Sequence, residues 1–563
     1  MKICFVQSSD EINKVKELLG FSPIFIPLSL ESLIYCDLKK IDYLNPEILI
    51  EKNFYKLASN ACSDLIKKLD LSKFKFEFIR NEIKSLIRFK FNQIALLIEI
   101  IDGLNKQKKI TEVILTNKYS SYEYDVITKF PGNTFTNIEI IFLEILKNYQ
   151  IRVLDVAEKK IKKDLDLNHE YEITGLRYKN KKKIFFNNSG YNFRRLIIFL
   201  LKKGYKISFF NEGIPFYKRF IFKIFGIEII EFKKIKNIKL KEKYNSNIKF
   251  SFKNFDISSV LNNQLIKSSN YLFDLENKFK ALSNFFDSSK IKLIISNANR
   301  GSGGMIVEKA VSKKIKSIMI SHGTIAKSFN SDDEVYKKII AEGVFSGKAD
   351  YHAVQSRITL NSLDTHKLTG KPLTTGNLVF AEGKQKSNLG KKFNCLYAVT
   401  NKPFSAMQFL GLEMYYEFFN NLNNFDNFSK ENNYNFHIHL HYGAKDCINL
   451  LKERFKNLNF TSGKIEKSLK NATVTISYSS TVIEDSLHFR VPVILFDPRL
   501  RYRHCESELD PRKKNRSIYY INKNNDLREC LETIRLSKDI NFKEHIFLDY
   551  SKENIKRLFS NLI

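Results

Sequence analysis

Residues Val474 to Pro498 read VTISYSSTVIEDSLHFRVPVILFDP. A short apolar run ends in hydroxyl side chains, a helix-compatible segment follows, and Val491-Pro492 opens a second apolar run. The pattern predicts strand, turn, helix, strand, with Ser477, Ser479, Ser480 and Thr481 at the first corner. In an open parallel sheet that corner is where ligands bind. Helix-start N–H groups add a preference for anions. The corner therefore predicts a phosphate-bearing ligand.

The same alternation extends on both sides. Upstream, Phe393 to Val399 and Phe436 to His441 read as strands of one α/β unit. Residues 381–391, AEGKQKSNLGK, are polar and glycine-containing and read as a linker. Before it, strands are predicted at Ile291–Ser296, Ser317–Ile320 and Tyr351–Gln355, with helices between. Alternation over this length implies a parallel sheet. Nearer the start, Ile3–Val6 and Glu47–Ile50 read as strands, and Ile83–Ile100 as a helix. Residues 216–246, basic and apolar together, fit a charged helix followed by a strand or a segment lying on a membrane surface. The division expected is an N-terminal acceptor-side domain over 1–380 with a basic insertion around 159–250, and the 381–391 linker. A donor-side domain over 392–529 follows, with helices over 530–563 crossing back.

A chain of 563 residues exceeds one ordinary domain, and its 48 phenylalanines oppose general disorder. Net charge is +32, which favours anionic partners such as nucleotides, acidic glycans or acidic lipid headgroups. No finger spacing or RNA-binding signature supports nucleic acid. The seven scattered cysteines form neither a disulfide framework nor a metal pair, so reduced thiols and a cytoplasmic setting are expected. The start, MKICFVQSSD, is too short an apolar run for a signal peptide, and no run approaches the roughly 18 apolar residues of a membrane span. Any membrane contact is expected to be peripheral.

Several residues are placed for chemistry. His322 follows a strand and precedes Gly323, where an imidazole can accept a proton near neutral pH or merely cap a helix. Asn297, Arg300, Gly303 and Gly304 belong to a crevice loop that matches no nucleotide-loop fingerprint; the glycines admit close approach by a ligand or serve as a turn. Ser479, Ser480 and Thr481 can donate to phosphate, Glu484 can accept from ribose hydroxyls, and Thr481 with Glu484 also has the spacing of a capping box. His437, His439 and His441 share one strand face, but their spacing of roughly 6–7 Å is too wide for one zinc without distortion. His441, with Gly443 at the strand end, is the better ligand contact.

These motifs resemble bacterial GT-B glycosyltransferases and glycerophosphotransferases of cell-surface polymer synthesis. SHGT at 321–324 is similar to the His-Gly segment of teichoic-acid glycerophosphotransferases and many capsule enzymes. ISYSSTVIEDSLHFRVPVILFDP at 476–498 is similar to their donor-phosphate corner, with Arg490 where glycine is common. The resemblance covers 291–377 and 393–500. It implies two Rossmann-like domains facing a cleft, His322 as acceptor-side base, Ser479 and Ser480 on the donor phosphate, and no bound metal or other cofactor. A second resemblance is to bacterial sialyl- and polysialyltransferases. Asn211-Glu212-Gly213 and Ser479-Ser480 look like two of their motifs, while Tyr442 follows His441 where proline is expected. It implies Glu212 as base and His441 on a CMP donor. The function expected is transfer of a sugar from a nucleotide donor to a surface polysaccharide or lipid-linked glycan. CMP-linked donors are favoured over CDP or UDP. CDP-polyol phosphate transfer and noncatalytic glycan or membrane binding are the alternatives.

Overall fold

The computed structural model describes residues 1–115, 152–155, 167–174, 183–187 and 193–563, except 73, 108–109, 212–213, 240–246, 322, 325, 346, 366–369, 384–392, 403–406, 408, 432–433, 442–443, 445–446 and 549–551. Their strands form three larger sheets and one small hairpin.

The first sheet is parallel and four-stranded, with order β2-β1-β3-β4: β1 Lys2–Val6, β2 Ile24–Pro27, β3 Glu112–Leu115, β4 Arg152–Asp155. The expected strand at Glu47–Ile50 is instead a 3-10 turn over Pro46–Leu49. Pro46 favours a helical first residue, and the Asn45 side chain accepts the Glu47 N–H.

The second sheet contains β5 Leu167–Thr174, β6 Lys183–Phe186, β7 Lys206–Phe210 and β8 Glu228–Lys239. After a hairpin of β9 Ser251–Phe252 and β10 Phe255–Asp256, it continues with β11 Ile291–Ser296, β12 Lys316–Met319, β13 Tyr351–Val354 and β14 Lys371–Thr374. Its order is β14-β13-β12-β11-β6-β7-β8-β5, parallel except for β5 at the edge. The third sheet is fully parallel, order β17-β16-β15-β18-β19-β20: β15 Phe393–Tyr397, β16 Tyr434–Leu440, β17 Asn459–Ser462, β18 Val474–Ser477, β19 Val493–Phe496, β20 Ile518–Ile521.

Numbered within its own unit, the third sheet runs 3-2-1-4-5-6, the doubly wound Rossmann order. The second sheet has the same order once its edge strand β5 is set aside, with one strand added beyond β13. In such a sheet the chain reverses its direction of growth at one point, and the crevice opens there. The reversals fall between β6 and β11, and between β15 and β18.

One apolar core joins the first sheet to the other two, including Ile3, Phe54, Phe91, Ile294, Tyr415 and Phe496. The Tyr415 hydroxyl donates to the Pro27 carbonyl at 2.7 Å, and Arg454 pairs with Asp37. The first sheet is thereby packed directly on the third unit.

Candidate functional site

β18 delivers Ser477 to the reversal point of the third sheet. The residue is fully buried and its hydroxyl has no partner. Tyr478 turns inward, its hydroxyl bonded to the Leu412 carbonyl. Ser479 is partly exposed, and Ser480 is buried with its Oγ accepting the Val482 N–H at 3.4 Å. The capping box does not form. Thr481 has φ −60° and ψ −14° and makes no side-chain cap bond. Its backbone is already helical, whereas a capping residue must be extended to aim its hydroxyl back at the helix. Glu484 is released from that role. It is fully buried, with Oε1 3.0 Å from His504 Nε2 and Oε2 without a partner.

The corner helix Val482–His488 is latched to the chain leaving the second sheet. Asp485 accepts the Ala381 N–H at 2.7 Å, and burial pushes its carboxyl up to about 7. His488 stacks on Phe380 with ring centroids 6.0 Å apart. Arg490, which ends the helix, has φ +63°. That is the left-handed region, which glycine occupies without strain and other residues rarely adopt.

Opposite lies the reversal point of the second sheet. Asn187 after β6 donates to Asn297 after β11 at 2.9 Å, and Asn187 Oδ1 is buried without a partner. The next strand, β12, leads to Ser321, whose Oγ accepts the Gly323 N–H at 3.0 Å. Gln355 Nε2 donates to the Ser321 carbonyl at 2.7 Å, while Gln355 Oε1 accepts from Leu378 and Val379. Thr324 Oγ1 is buried and unpartnered. A methyl group on Gly323 would sit 3.8 Å from Thr481 Cγ2. The loop after β12 therefore meets the β18 corner, and the C-terminal strand ends of the two Rossmann-ordered sheets face each other. This is the GT-B arrangement.

The expected site residues divide accordingly. His322, Glu212 and Gly443 lie outside the described residues, but their neighbours are placed. Ser321 and Gly323 flank position 322 at the junction. Asn211 and Ile214 bracket position 212 beyond β7, with the Asn211 side chain accepting the Ile214 N–H at 3.1 Å. Three inter-strand steps, about 14 Å, separate β12 from β7. Arg300 precedes the helix Gly301–Ser312 and is partly buried.

Gly303 and Gly304 are approached by this chain's own loop. A Cβ on Gly303 would lie 2.5 Å from the Ala298 carbonyl oxygen, and one on Gly304 would overlap the Asn299 carbonyl and stand 2.9 Å from Phe78 Cβ. Close packing of helix on loop accounts for both glycines. Gly304→Ala is expected to lower the melting midpoint, at a cost of about 1–3 kcal/mol, without altering nucleotide affinity in the surviving fold. An unchanged midpoint in a thermal melt contradicts this.

His441 follows β16. Burial, aided by Lys402 and His439, pushes its imidazole down to about 4, so it is neutral at pH 7 and suited to hydrogen bonding rather than to carrying charge. His437 bonds Asn435 at 2.8 Å and His439 bonds Ser468 at 3.0 Å. Among the described residues no three His, Cys, Asp or Glu side chains are grouped to hold a metal.

Sequence reasoning missed five residues here. His504 holds Glu484. Asn401, after β15, is buried with Nδ2 unpartnered. Arg501 and Glu417 form a buried ion pair. Asp497, at the end of β19, accepts the N–H groups of Arg501 at 2.6 Å and Tyr502 at 2.8 Å. Only Asp497 carried a local signal, as the Asp-Pro that closes the opening stretch.

No family model and no curated protein matches this chain. Solved structures with partial likeness include Staphylococcus aureus TarM in complex with UDP, 13% identical, covering 68% of this chain and 99% of that one, with a TM-score of 0.40. S. aureus MnaA with UDP is 12% identical, covers 68% and 98%, and scores 0.41. The wall teichoic acid polymerase TagF is 12% identical, covers 68% and 88%, and scores 0.36. At these scores the fold assignment rests on the two strand orders, and the likeness assigns no activity.

Proposed function

We propose that this chain transfers a sugar from a nucleotide-activated donor to a glycan or glycolipid acceptor. The observation that carries this reading is a set of orphaned polar atoms where the two sheets meet. Ser477 Oγ, Glu484 Oε2 and Thr324 Oγ1 are buried, lack partners, and flank the contact between the 321–324 loop and the β18 corner. Burying such atoms unpaired costs about 1–3 kcal/mol each, a cost that a polar ligand with hydroxyls and phosphates removes. In this reading Ser479 and Ser480 receive the donor phosphate, and Glu484, oriented by His504, accepts from ribose. His322 takes the proton of the attacking acceptor hydroxyl. A CMP-linked acidic sugar is the donor favoured.

Calorimetric titration of CMP, CDP and UDP, followed by turnover with their sugar conjugates and lipid-linked acceptors, tests the reading. Absence of binding to all three nucleotides refutes it. New phosphodiester in the product replaces sugar transfer with polyol phosphate transfer. Ser479→Ala is expected to weaken nucleotide binding roughly tenfold, the loss of one hydrogen bond to a charged group, with no change in melting midpoint. Unaltered affinity in that variant removes Ser479 from the donor site.

A further inference from the structure

The helix Phe216–Ile224 contributes no buried residue to the core, and its outer face is apolar. Phe216, Phe220 and Ile224 are 83%, 61% and 68% exposed, and Tyr217, Ile221 and Phe225 are exposed beside them. At 3.6 residues per turn these six side chains share one side of the helix. The opposite side holds the helix to the protein. Arg219 bonds the Ile214 carbonyl at 2.8 Å and Glu231 at 2.9 Å, and Phe222 packs edge-on against Phe209. Lys218 and Lys223 are exposed and fall on the two flanks of the apolar stripe.

We infer that this helix docks the protein on a bilayer bearing anionic headgroups. Side chains of this size left in water are costly, and an apolar stripe flanked by lysines matches the boundary between acyl chains and phosphate. The charge around the stripe has one dominant sign. Lys218 and Lys223 supply the positive charge on the helix itself. On β8, Lys233 and Lys236 lie across from Glu172 and Glu170, while Lys234 adds a further exposed cation. The nearby carboxylates Glu231 and Glu228 are engaged by Arg219 and Lys183. A second copy of this chain would bring like charges together, which opposes self-association and favours lipid. The helix follows the C-terminal end of β7, at the same sheet edge as Asn187, Asn297 and Ser321. The helix starts on that edge at Phe216 and runs back toward the opposite edge, where β8 begins. The docking itself does not depend on the transferase reading.

The test is co-sedimentation of the full chain with vesicles of phosphatidylcholine alone and with phosphatidylcholine and phosphatidylglycerol at roughly 7:3. Binding is expected to be at least about tenfold stronger to the anionic vesicles. Phe220→Ser with Ile224→Ser is expected to lower it about tenfold or more, with no fall in melting midpoint because both side chains are exposed. Lys218→Glu with Lys223→Glu is expected to abolish the preference for anionic vesicles. Equal binding by the wild-type chain and the Phe220/Ile224 double variant overturns the inference. So does a wild-type dimer in sedimentation velocity that the double substitution dissolves, which assigns the stripe to a second copy.

Discussion

Replacing His322 by alanine is expected to reduce turnover by roughly a hundred- to ten-thousandfold, the range of a positioned general base, while nucleotide affinity stays unchanged. The expectation rests on where the flanking residues are held. Ser321 is fixed from both sides, by the Gln355 amide on its carbonyl and the Gly323 N–H on its hydroxyl. Gln355 is itself held by two backbone donors from Leu378 and Val379. Ser321 and Gly323, on either side of position 322, thus sit where the loop after β12 meets the β18 corner at Thr481. A general base must be unprotonated to act, so the wild-type kcat/KM profile should fall on the acid side, and the residual activity of the variant should lack this limb. Glu212→Gln is the paired control. The strands leading to the two positions are three inter-strand steps apart, about 14 Å, so the two variants probe different parts of the crevice. Full activity in H322A with loss in E212Q transfers the role of base to Glu212.

The second large effect is on stability. Glu417→Ala is expected to cost about 3 kcal/mol and lower the melting midpoint by roughly 2–3 °C. Glu417 and Arg501 are both nine-tenths buried and paired, and the guanidinium lies over the Tyr55 ring at 4.9 Å from its centroid. Removing the carboxylate strands a charge that cannot be neutralised, because an arginine does not release its proton in a protein. Asp497 remains nearby and keeps the loss at the lower end of the usual range for a broken buried pair. Replacing both partners together, Glu417→Leu with Arg501→Met, should recover most of the loss, because neither charge is then left unpaired. A double variant as unstable as E417A would falsify the electrostatic account and point to packing on Tyr55 instead.

Much of the α/β pattern was legible because it is written locally. The strand–helix–strand of 474–498 has apolar runs of the right length and a proline at the second strand, and the structure reproduces it as β18, the helix Val482–His488 and β19. The charged helix and strand after Pro215 were also legible. The capping box was misread because spacing reports which residues can cap, while the helical backbone at Thr481 decides that this one does not. The turn at Pro46–Leu49 was misread because a short apolar run weighs less than a proline with an asparagine cap before it.

By itself the sequence determined that the chain alternates short strands and helices, and that hydroxyl residues crowd the corner after Val474–Ser477. Those properties depend on neighbours a few residues apart, through side-chain periodicity and turn chemistry. Only the tertiary structure decided the order of strands in each sheet, since hydrogen bonding between strands leaves no mark on the spacing within one. It also decided that Gly323 meets Thr481, that His504 rather than a helix cap holds Glu484, and that Arg501 finds Glu417. These contacts join residues 20 to 158 positions apart, with partners chosen by which strand ends the packed sheets bring together.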